Sequence, residues 1–250
     1  RERKPERLLG IAENLLACSG YDEISLSSLS TSDFSGLRDL TDGLLKITEE
    51  KKIGLSLPSL RIDNFSLELM EKVQKVRKTG ITFAPEAGTQ RLRDVINKNI
   101  NEEDIINSTN MLFRGGWTNV KLYFMIGLPT ETMDDVCGIA DLAQKVLEVY
   151  FAIPKEERAK QINITVSTSS FVPKPFTAFQ WAKQDTRDML IEKQNTLKSA
   201  IKSKRIRYNW HDNKTSYLEG VFARGDRRLS EVIIKAVENG CKFDGWGEHF

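Results

Sequence analysis

Short strands and helices alternate along most of this sequence, and the alternation restricts the fold more than any other feature. Segments typical of strands begin near residues 24, 53, 81, 119 and 162, which gives spacings of 29, 28, 38 and 43 residues. Each interval contains a segment with helical periodicity, and none contains a tight hairpin turn. Strands joined through helices must be parallel, with right-handed crossovers. Residues 1–170 are therefore predicted to form a βα array, either a barrel or an open doubly wound sheet.

The periodicity and the turn residues predict the limits of the individual elements. The predicted strands are 23–29, 53–57, 81–84, 119–126, 162–169 and 205–210. The predicted helices are 5–19, 37–50, 66–78, 90–97, 101–113, 133–151, 187–204 and 230–239.

Composition excludes several classes of protein. With 40% apolar and 29% charged residues, the chain is neither disordered nor fibrous, and a net charge of +2 does not by itself indicate nucleic-acid binding. No apolar run approaches the roughly 18 residues of a membrane span, and the first residues lack the core of a signal peptide. A cytoplasmic protein is therefore expected. Three cysteines, which lie 119 and 104 positions apart, are most simply reduced thiols.

Ligands in parallel βα folds bind at the carboxyl ends of strands, so the residues after each strand are the candidates for a site. Glu86 follows a buried strand, where its carboxylate either accepts hydrogen bonds from a ligand or matches the dipole of the next helix. In the turn at 127–132, Thr130 or Thr132 is expected to cap the following helix, with Glu131 in its first turn.

Several segments together resemble a known enzyme family. They are LPSLRID at 57–63, ITFAPEAGTQRLRDVINKNI at 81–100, VKLYFMIGLPTET at 120–132, FVPKPFTAFQW at 171–181 and ARGDRRLSEVI at 223–233. In this order they resemble the radical S-adenosylmethionine (radical SAM) enzymes. The resemblance is closest to a bacterial Fe-S oxidoreductase branch that often carries an N-terminal cobalamin-binding-like domain.

The resemblance implies an α/β fold, a partial (β/α)6 TIM-like barrel that lacks its first strand, over residues 1–170. Residues 171–250 would form a C-terminal α/β extension packed on the barrel. In the family, a C-x-x-x-C-x-x-C loop after the first strand holds a [4Fe-4S] cluster, which cleaves S-adenosylmethionine to a radical that abstracts hydrogen. This sequence has no such loop. The first strand and the cluster ligands are therefore expected upstream of Arg1, and no metal ligand is expected in this chain.

The resemblance also implies which residues contact S-adenosylmethionine. The hydroxyls and carbonyls of Ser27 to Ser30, which end the strand predicted at 23–29, would accept hydrogen bonds from the methionyl amine. Glu86 would bind the ribose or aminoacyl group, and Lys98 would either bind the carboxylate or be a solvated helix-end lysine. Arg61 would neutralise a carboxylate or pair with Asp63 or Glu86. The full set implied is Ser27, Ser28, Ser30, Arg61, Glu86, Lys98, Tyr123, Met125, Ile126, Gly127, Phe171 and Val172. Tyr123 stands where several relatives have an aspartate, and Met125, Ile126 and Gly127 would pack the adenine.

Two functions remain open from the sequence. The first is the post-cluster part of a radical SAM catalytic domain with an unknown substrate, next to an upstream cluster and an upstream domain that could bind cobalamin. The alternative is a non-catalytic βα module for protein or RNA interaction. A basic cluster at Lys202, Lys204, Arg205 and Arg207 would contact RNA phosphates or be a solvated helix end. The strand at 23–29 is expected to have an unpaired edge, which would weaken the chain, be covered by another element or pair with a second copy.

Overall fold

The computed structural model describes residues 2–27, 34–56 and 81–242. In chain order, the elements of these residues are α1 (Pro5–Ser19), β1 (Glu23–Ser25), α2 (Leu37–Lys51), β2 (Gly54–Ser56), β3 (Ile81–Glu86), α3 (Gln90–Val95), α4 (Glu102–Arg114), β4 (Asn119–Ile126), α5 (Met133–Ala152), β5 (Asn163–Ser170), α6 (Arg187–Ala200), β6 (Ile206–Trp210), α7 (Asn213–Arg224) and α8 (Leu229–Glu238).

All strand pairs in the described residues are parallel. β1 pairs with β2, and the order β3-β4-β5-β6 forms a four-stranded sheet in which each strand lies beside the next one along the chain. Helices connect the consecutive strands of this sheet. The predicted α/β fold built from βα units is therefore confirmed.

The main core lies between the four-stranded sheet and helices α4, α5 and α6. Alternate residues of β4 (Val120, Leu122, Phe124 and Ile126) point into this core and are at most 2% exposed. This alternation follows from the two-residue period of a strand, whereas α5 buries a broad stripe at helical spacing because it crosses the sheet. A second core packs α1 and α2 against β2 around Leu44 and Leu55.

Most of the predicted elements occur, with shifted ends. The predictions for 5–19 and 119–126 match α1 and β4 residue for residue. The helix predicted at 187–204 ends at Ala200, because Ile201 is extended (ψ 110°). Helix α7 was not predicted at all. The helix predicted at 66–78 lies outside the described residues.

The region after residue 170 continues the same sheet. β6 pairs in register with β5 from Ile164↔Ile206 to Thr168↔Trp210. Helix α7 is fixed by a reciprocal amide pair, in which Gln194 and Asn213 each donate to the other at 3.0 Å. The division between 1–170 and 171–250 stays a prediction.

Among the helices of the described residues, none combines the length and the apolar character needed to span a membrane.

Candidate functional site

The carboxyl ends of β3, β4 and β5 lie at one edge of the four-stranded sheet, because the three strands are parallel neighbours. β3 ends at Glu86, β4 at Ile126 and β5 at Ser170. Ligands bind at this edge in parallel βα folds. These strand ends and the segments that follow them form the candidate site.

Glu86 has an unusual backbone conformation at the end of β3. The pairing of β3 with β4 shifts register between Phe83 and Glu86, and Glu86 has a φ of 68°, in the left-handed region. This region is unfavourable for a residue with a Cβ. Residues with a Cβ that nevertheless adopt it cluster at functional sites. The Glu86 side chain is 26% exposed, so its carboxylate is accessible to a ligand.

The structure brings together two of the residues implied by the resemblance. Lys98 Nζ lies 3.3 Å from Glu86 Oε1, and both side chains are partly buried. Glu86 does not cap the next helix, since the Thr89 side chain accepts the Leu92 N–H in that role. Among the described residues, Lys98 is the ionic partner of Glu86 and contacts one of its two carboxylate oxygens.

A buried arginine holds the loop that follows Glu86. Arg93 is 0% exposed, and its Nη1 donates to the carbonyls of Ala87 at 3.0 Å and Gly88 at 3.4 Å. Its Nε and Nη2 donate to Gln90 Oε1. Burial lowers the pKa of the Arg93 guanidinium from its ordinary value, against the opposing effect of nearby acids. Arg93 therefore fixes the loop beside Glu86.

Asp135 fixes the same loop from the other side. The Asp135 carboxylate, 3% exposed, accepts hydrogen bonds from the Thr89 hydroxyl, the Arg91 guanidinium and both the N–H and the hydroxyl of Thr132. Burial raises the pKa of Asp135, but these hydrogen bonds outweigh burial and lower it to about 2. Asp135 thus joins the loop after β3 to the first turn of α5.

The turn after β4 is closed by a buried group of three charges, the Lys193 triad, which consists of Glu131, Asp185 and Lys193. Gly127 has a φ of 82°, and its N–H donates to Glu131 Oε2 at 2.7 Å. Lys193 Nζ lies 2.7 Å from the same Oε2 and 2.6 Å from Asp185 Oδ2. Glu131 precedes the cap of α5, which is Thr132, so the prediction that Glu131 lies in the first turn is wrong.

The electrostatics of the Lys193 triad follow from two acids sharing one base. Burial and the charge of Asp185 raise the pKa of Glu131, although the Lys193 and Gly127 hydrogen bonds oppose them. Burial would lower the pKa of Lys193, but the hydrogen bonds to Asp185 and Glu131 raise it. The Lys193 amine thus lies between two carboxyl groups, and these contacts hold the turn in one conformation.

Apolar side chains form a platform at the strand ends. Ala87, Leu92, Leu128 and Phe171 are buried together, and Met125 packs against them. Ile126 is different, because its side chain belongs to the main core and only its backbone reaches the site, where its carbonyl accepts the Phe171 N–H at 2.8 Å. Val172 is 8% exposed.

Tyr123 and Ser27, two more of the implied residues, do not lie at the ends of β3, β4 and β5. Tyr123 is on the sheet face opposite the helices of the core, with Lys121 Nζ 4.7 Å from its ring centroid. Ser27 follows β1 and is exposed. Ser28, Ser30 and Arg61 lie outside the described residues.

The cysteines do not form an iron-sulfur site. Cys18, Cys137 and Cys241 are all within the described residues and are all unpaired. No group of three or more His, Cys, Asp or Glu side chains in ranges 2–27, 34–56 and 81–242 could hold a metal ion. The described residues therefore do not fit a cluster that needs several thiolates within a few ångströms.

The basic cluster predicted from the sequence is divided between surfaces. The Arg205 guanidinium stacks 5.3 Å from the Phe151 ring of α5, whereas Arg207 pairs in register with Thr165 on β5. Lys202 donates to the Ser199 carbonyl at 2.6 Å. Contact with RNA phosphates stays an untested alternative to a solvated helix end.

Sequence reasoning missed Arg93, Asp135 and the Lys193 triad. A local signal existed only for Asp135, which is the third residue after Thr132 in a capping box. Lys193 lies 62 residues from Glu131, so no local pattern connects them.

Comparisons with known proteins agree with this architecture. The sequence pattern of the Radical SAM superfamily matches residues 1–143. The uncharacterized protein MJ0966 of Methanocaldococcus jannaschii is 31% identical over 233 residues. That alignment covers 93% of this chain and 48% of the relative, so the chain spans about half the length of the curated relative.

A solved structure supports the fold. The structure of Methanocaldococcus infernus Elp3 with an N-terminal deletion superposes with a TM-score of 0.55 at 15% identity, over 88% of this chain and 60% of that chain. Its fold is TIM-barrel-like. This similarity confirms the predicted TIM-like fold class.

Proposed function

The chain belongs to the Radical SAM superfamily, and we propose that the ends of β3, β4 and β5 bind S-adenosylmethionine for a radical reaction on a substrate. Radical-based catalysis is the general chemistry of this superfamily, which generally uses S-adenosylmethionine and a [4Fe-4S] cluster. When bound, these groups supply the one-electron chemistry that removes a hydrogen atom from a substrate. The role of the described residues of this chain is to bind S-adenosylmethionine and to orient it.

The conformation of Glu86 is the observation that carries this proposal. A partly exposed carboxylate is held at the edge of a parallel sheet by a register shift and a left-handed φ of 68°. Folding does not favour this backbone, so a binding role explains it better than a structural one. The Glu86 carboxylate accepts hydrogen bonds from the ribose hydroxyls or the amine of the cofactor.

Lys98 and the platform complete the site. The Lys98 ammonium orients Glu86 and supplies a positive charge for the methionyl carboxylate. Met125 and the buried Phe171 present apolar surface to the adenine, and the turn at Gly127 closes that end. Ser27, Ser28, Ser30 and Arg61 remain proposed contacts for the amine and the carboxylate.

The cellular compartment of the protein is part of the same proposal. Three unpaired thiols support a reducing compartment, and we place the protein in the cytoplasm. An upstream domain that binds cobalamin stays a prediction.

Calorimetry of S-adenosylmethionine binding to the 250-residue chain tests the proposal. Glu86→Gln removes the charge and keeps the shape, and a charge-assisted hydrogen bond is worth about 1.5–3 kcal/mol, so the Kd is expected to rise roughly 10-fold or more. The matched control is Glu157→Gln, which breaks an exposed Arg–Glu pair (Arg114 Nη1 to Glu157 Oε2, 3.4 Å) in the segment that precedes β5. The Kd of the control is expected to stay within twofold.

Two results would overturn the proposal. One is wild-type affinity in Glu86→Gln. The other is no binding by the wild-type chain at millimolar cofactor, which would leave the non-catalytic interaction module as the better explanation.

A further inference from the structure

Within residues 2–27, 34–56 and 81–242, one face of the four-stranded sheet is not covered by any helix of the main core. Its residues alternate with the buried ones, and in register they form rows across the strands. We call it the open face, and it consists of Thr82, Ala84, Lys121, Tyr123, Met125, Thr165, Ser167, Ser169, Arg207 and Asn209.

The open face is polar, which is unusual for a parallel sheet. Parallel sheets are ordinarily apolar on both faces, because both are buried. β5 places three hydroxyls on this face (Thr165, Ser167 and Ser169), each only partly buried, whereas Ile164 and Val166 on its other face are 0% exposed. A polar face inside a TIM-like fold is suited to a polar ligand rather than to packing.

The charge of the open face is positive. Lys121 and Arg207 lie on either side of Thr165 in one row, Lys121↔Thr165↔Arg207. Among the described residues, neither cation has an acidic side chain within salt-bridge distance. The acid nearest along these strands is Glu86, at the last residue of β3, and it is paired with Lys98.

The Lys121 side chain is directed along the strand. Its Nζ lies 4.7 Å from the centroid of the Tyr123 ring, two residues nearer the carboxyl end of β4. The ammonium therefore approaches the edge where Glu86 and Met125 lie. Two strand spacings separate Lys121 from Arg207 at the backbone, roughly 10 Å, which two long side chains can bridge around one anion above Thr165.

We propose that the open face binds a small anionic substrate, whose carboxylate or phosphate is held by Lys121 and Arg207 with the Thr165 hydroxyl between them. The inference rests on the proposed function, because it names the substrate class of the same site. The anion anchors the substrate below the strand ends, so that the rest of the molecule extends toward the cofactor.

Binding of pyrophosphate and of citrate to the full 250-residue chain tests this inference. The two probes distinguish a preference for phosphate from a preference for carboxylate. In the double variant Lys121→Gln/Arg207→Gln, the Kd of the preferred probe at low salt is expected to rise at least 10-fold. Lys198→Gln is the matched control, because Lys198 makes the same kind of contact, with Nζ 5.6 Å from the Trp210 ring, on helix α6. The Kd of the Lys198→Gln variant for the same probe is expected to stay within twofold of the wild-type value.

A second measurement uses the wild-type chain and does not depend on how the variants fold. Pyrophosphate or citrate is expected to protect Lys121, and not Lys198, from acylation, as read by peptide mass spectrometry. Equal affinity in wild type and double variant, or no protection of Lys121, overturns the inference. Protection by a single-stranded RNA but by neither small anion also overturns it and assigns the face to nucleic acid.

S-adenosylmethionine binding separates this inference from the proposed function. The double variant is expected to bind S-adenosylmethionine within twofold of wild type. Cofactor binding without anion binding overturns the anionic-substrate inference alone. Anion binding by a chain that does not bind the cofactor overturns the proposed function alone.

Discussion

Lys193 Nζ of α6 lies 2.7 Å from the Glu131 oxygen that also accepts the Gly127 N–H. A side chain from one helix thereby fixes the turn that ends β4. The contact is almost fully buried, with 9% of the Lys193 side chain and 1% of the Glu131 side chain exposed.

Lys193→Met should destabilise the chain strongly, because it leaves two carboxylates near each other without a cation. Removing one partner of a buried ion pair costs about 3–5 kcal/mol. Burial raises the pKa of Glu131, so the penalty applies where Glu131 is ionised and falls as the pH is lowered toward the ordinary value of 4.5. Urea unfolding at pH 8 and pH 5 measures both effects. Lys145→Met, which breaks an exposed pair, should cost less than about 1 kcal/mol, and an equal cost for the two variants would contradict the prediction.

Asp135→Asn should remove stability that depends on pH. The folded-state pKa of Asp135 is about 2, below its ordinary value of 3.8, so its contribution is present above pH 3.8 and is lost as the pH falls toward 2. The shift corresponds to roughly 2 kcal/mol. The gap in unfolding free energy between wild type and variant should therefore be full at pH 7 and shrink by pH 3. Asp134→Asn, at the adjacent exposed residue, is the control. If the difference in unfolding free energy between wild type and Asp135→Asn does not change with pH, the lowered pKa of Asp135 is refuted.

Gly88→Ala should be destabilising, since a Cβ at Gly88 would lie 2.7 Å from the Gly138 carbonyl carbon and even nearer to other backbone atoms of α5. Backbone cannot move aside as a flexible side chain does, so we expect a loss of about 1–3 kcal/mol in the free energy of unfolding. Gly10→Ala is the matched control, because nothing lies within 4 Å of its Cβ in α1, and it should stabilise by about 0.5–1 kcal/mol. Thermal unfolding measures both changes. If the melting temperatures of Gly88→Ala and Gly10→Ala shift in the same direction, the close packing of Gly88 against α5 is contradicted.

Glu86→Gly should be more stable than Glu86→Ala by about 1 kcal/mol. Both variants lose the contact with Lys98, but only glycine adopts the left-handed φ of 68° without strain. Chemical denaturation of the two variants measures the difference directly. An alanine variant as stable as the glycine variant would show that the backbone at residue 86 relaxes.

Iron and sulfide analysis after anaerobic reconstitution should give well below four iron atoms per chain for these 250 residues. All three cysteines lie in the described residues and do not converge. Cys137→Ser should leave the iron content unchanged. Four iron atoms per wild-type chain, lost in this variant, would reverse the conclusion about the cysteines.

The sequence predicted the strands and long helices because these carry a strong hydrophobic period. Helix α7 has no such period, since its buried residues are Asn213, Ser216 and Gly220, and its boundary is set by the Asp212 side chain, which accepts the Thr215 N–H. Polar and small residues fill that interface, so hydrophobicity gives no signal.

The candidate site was predictable only where its residues follow strands. Glu86 and Gly127 were found in this way, and the resemblance added Lys98. Arg93 and Lys193 could not be found, because each acts on backbone or charges that are brought near only by the fold. The left-handed φ of Glu86 also has no signature in its residue type.

The alternation along β4 and β5 separates two requirements that compete in many enzymes. Val120, Leu122, Ile164 and Val166 face the helices and carry the stability, whereas their neighbours on the open face pack against no helix of the core. Substitutions at Lys121, Thr165 or Arg207 should therefore change the proposed anion site without dismantling the scaffold. The side chains of the open face can therefore change one at a time while the chain continues to fold.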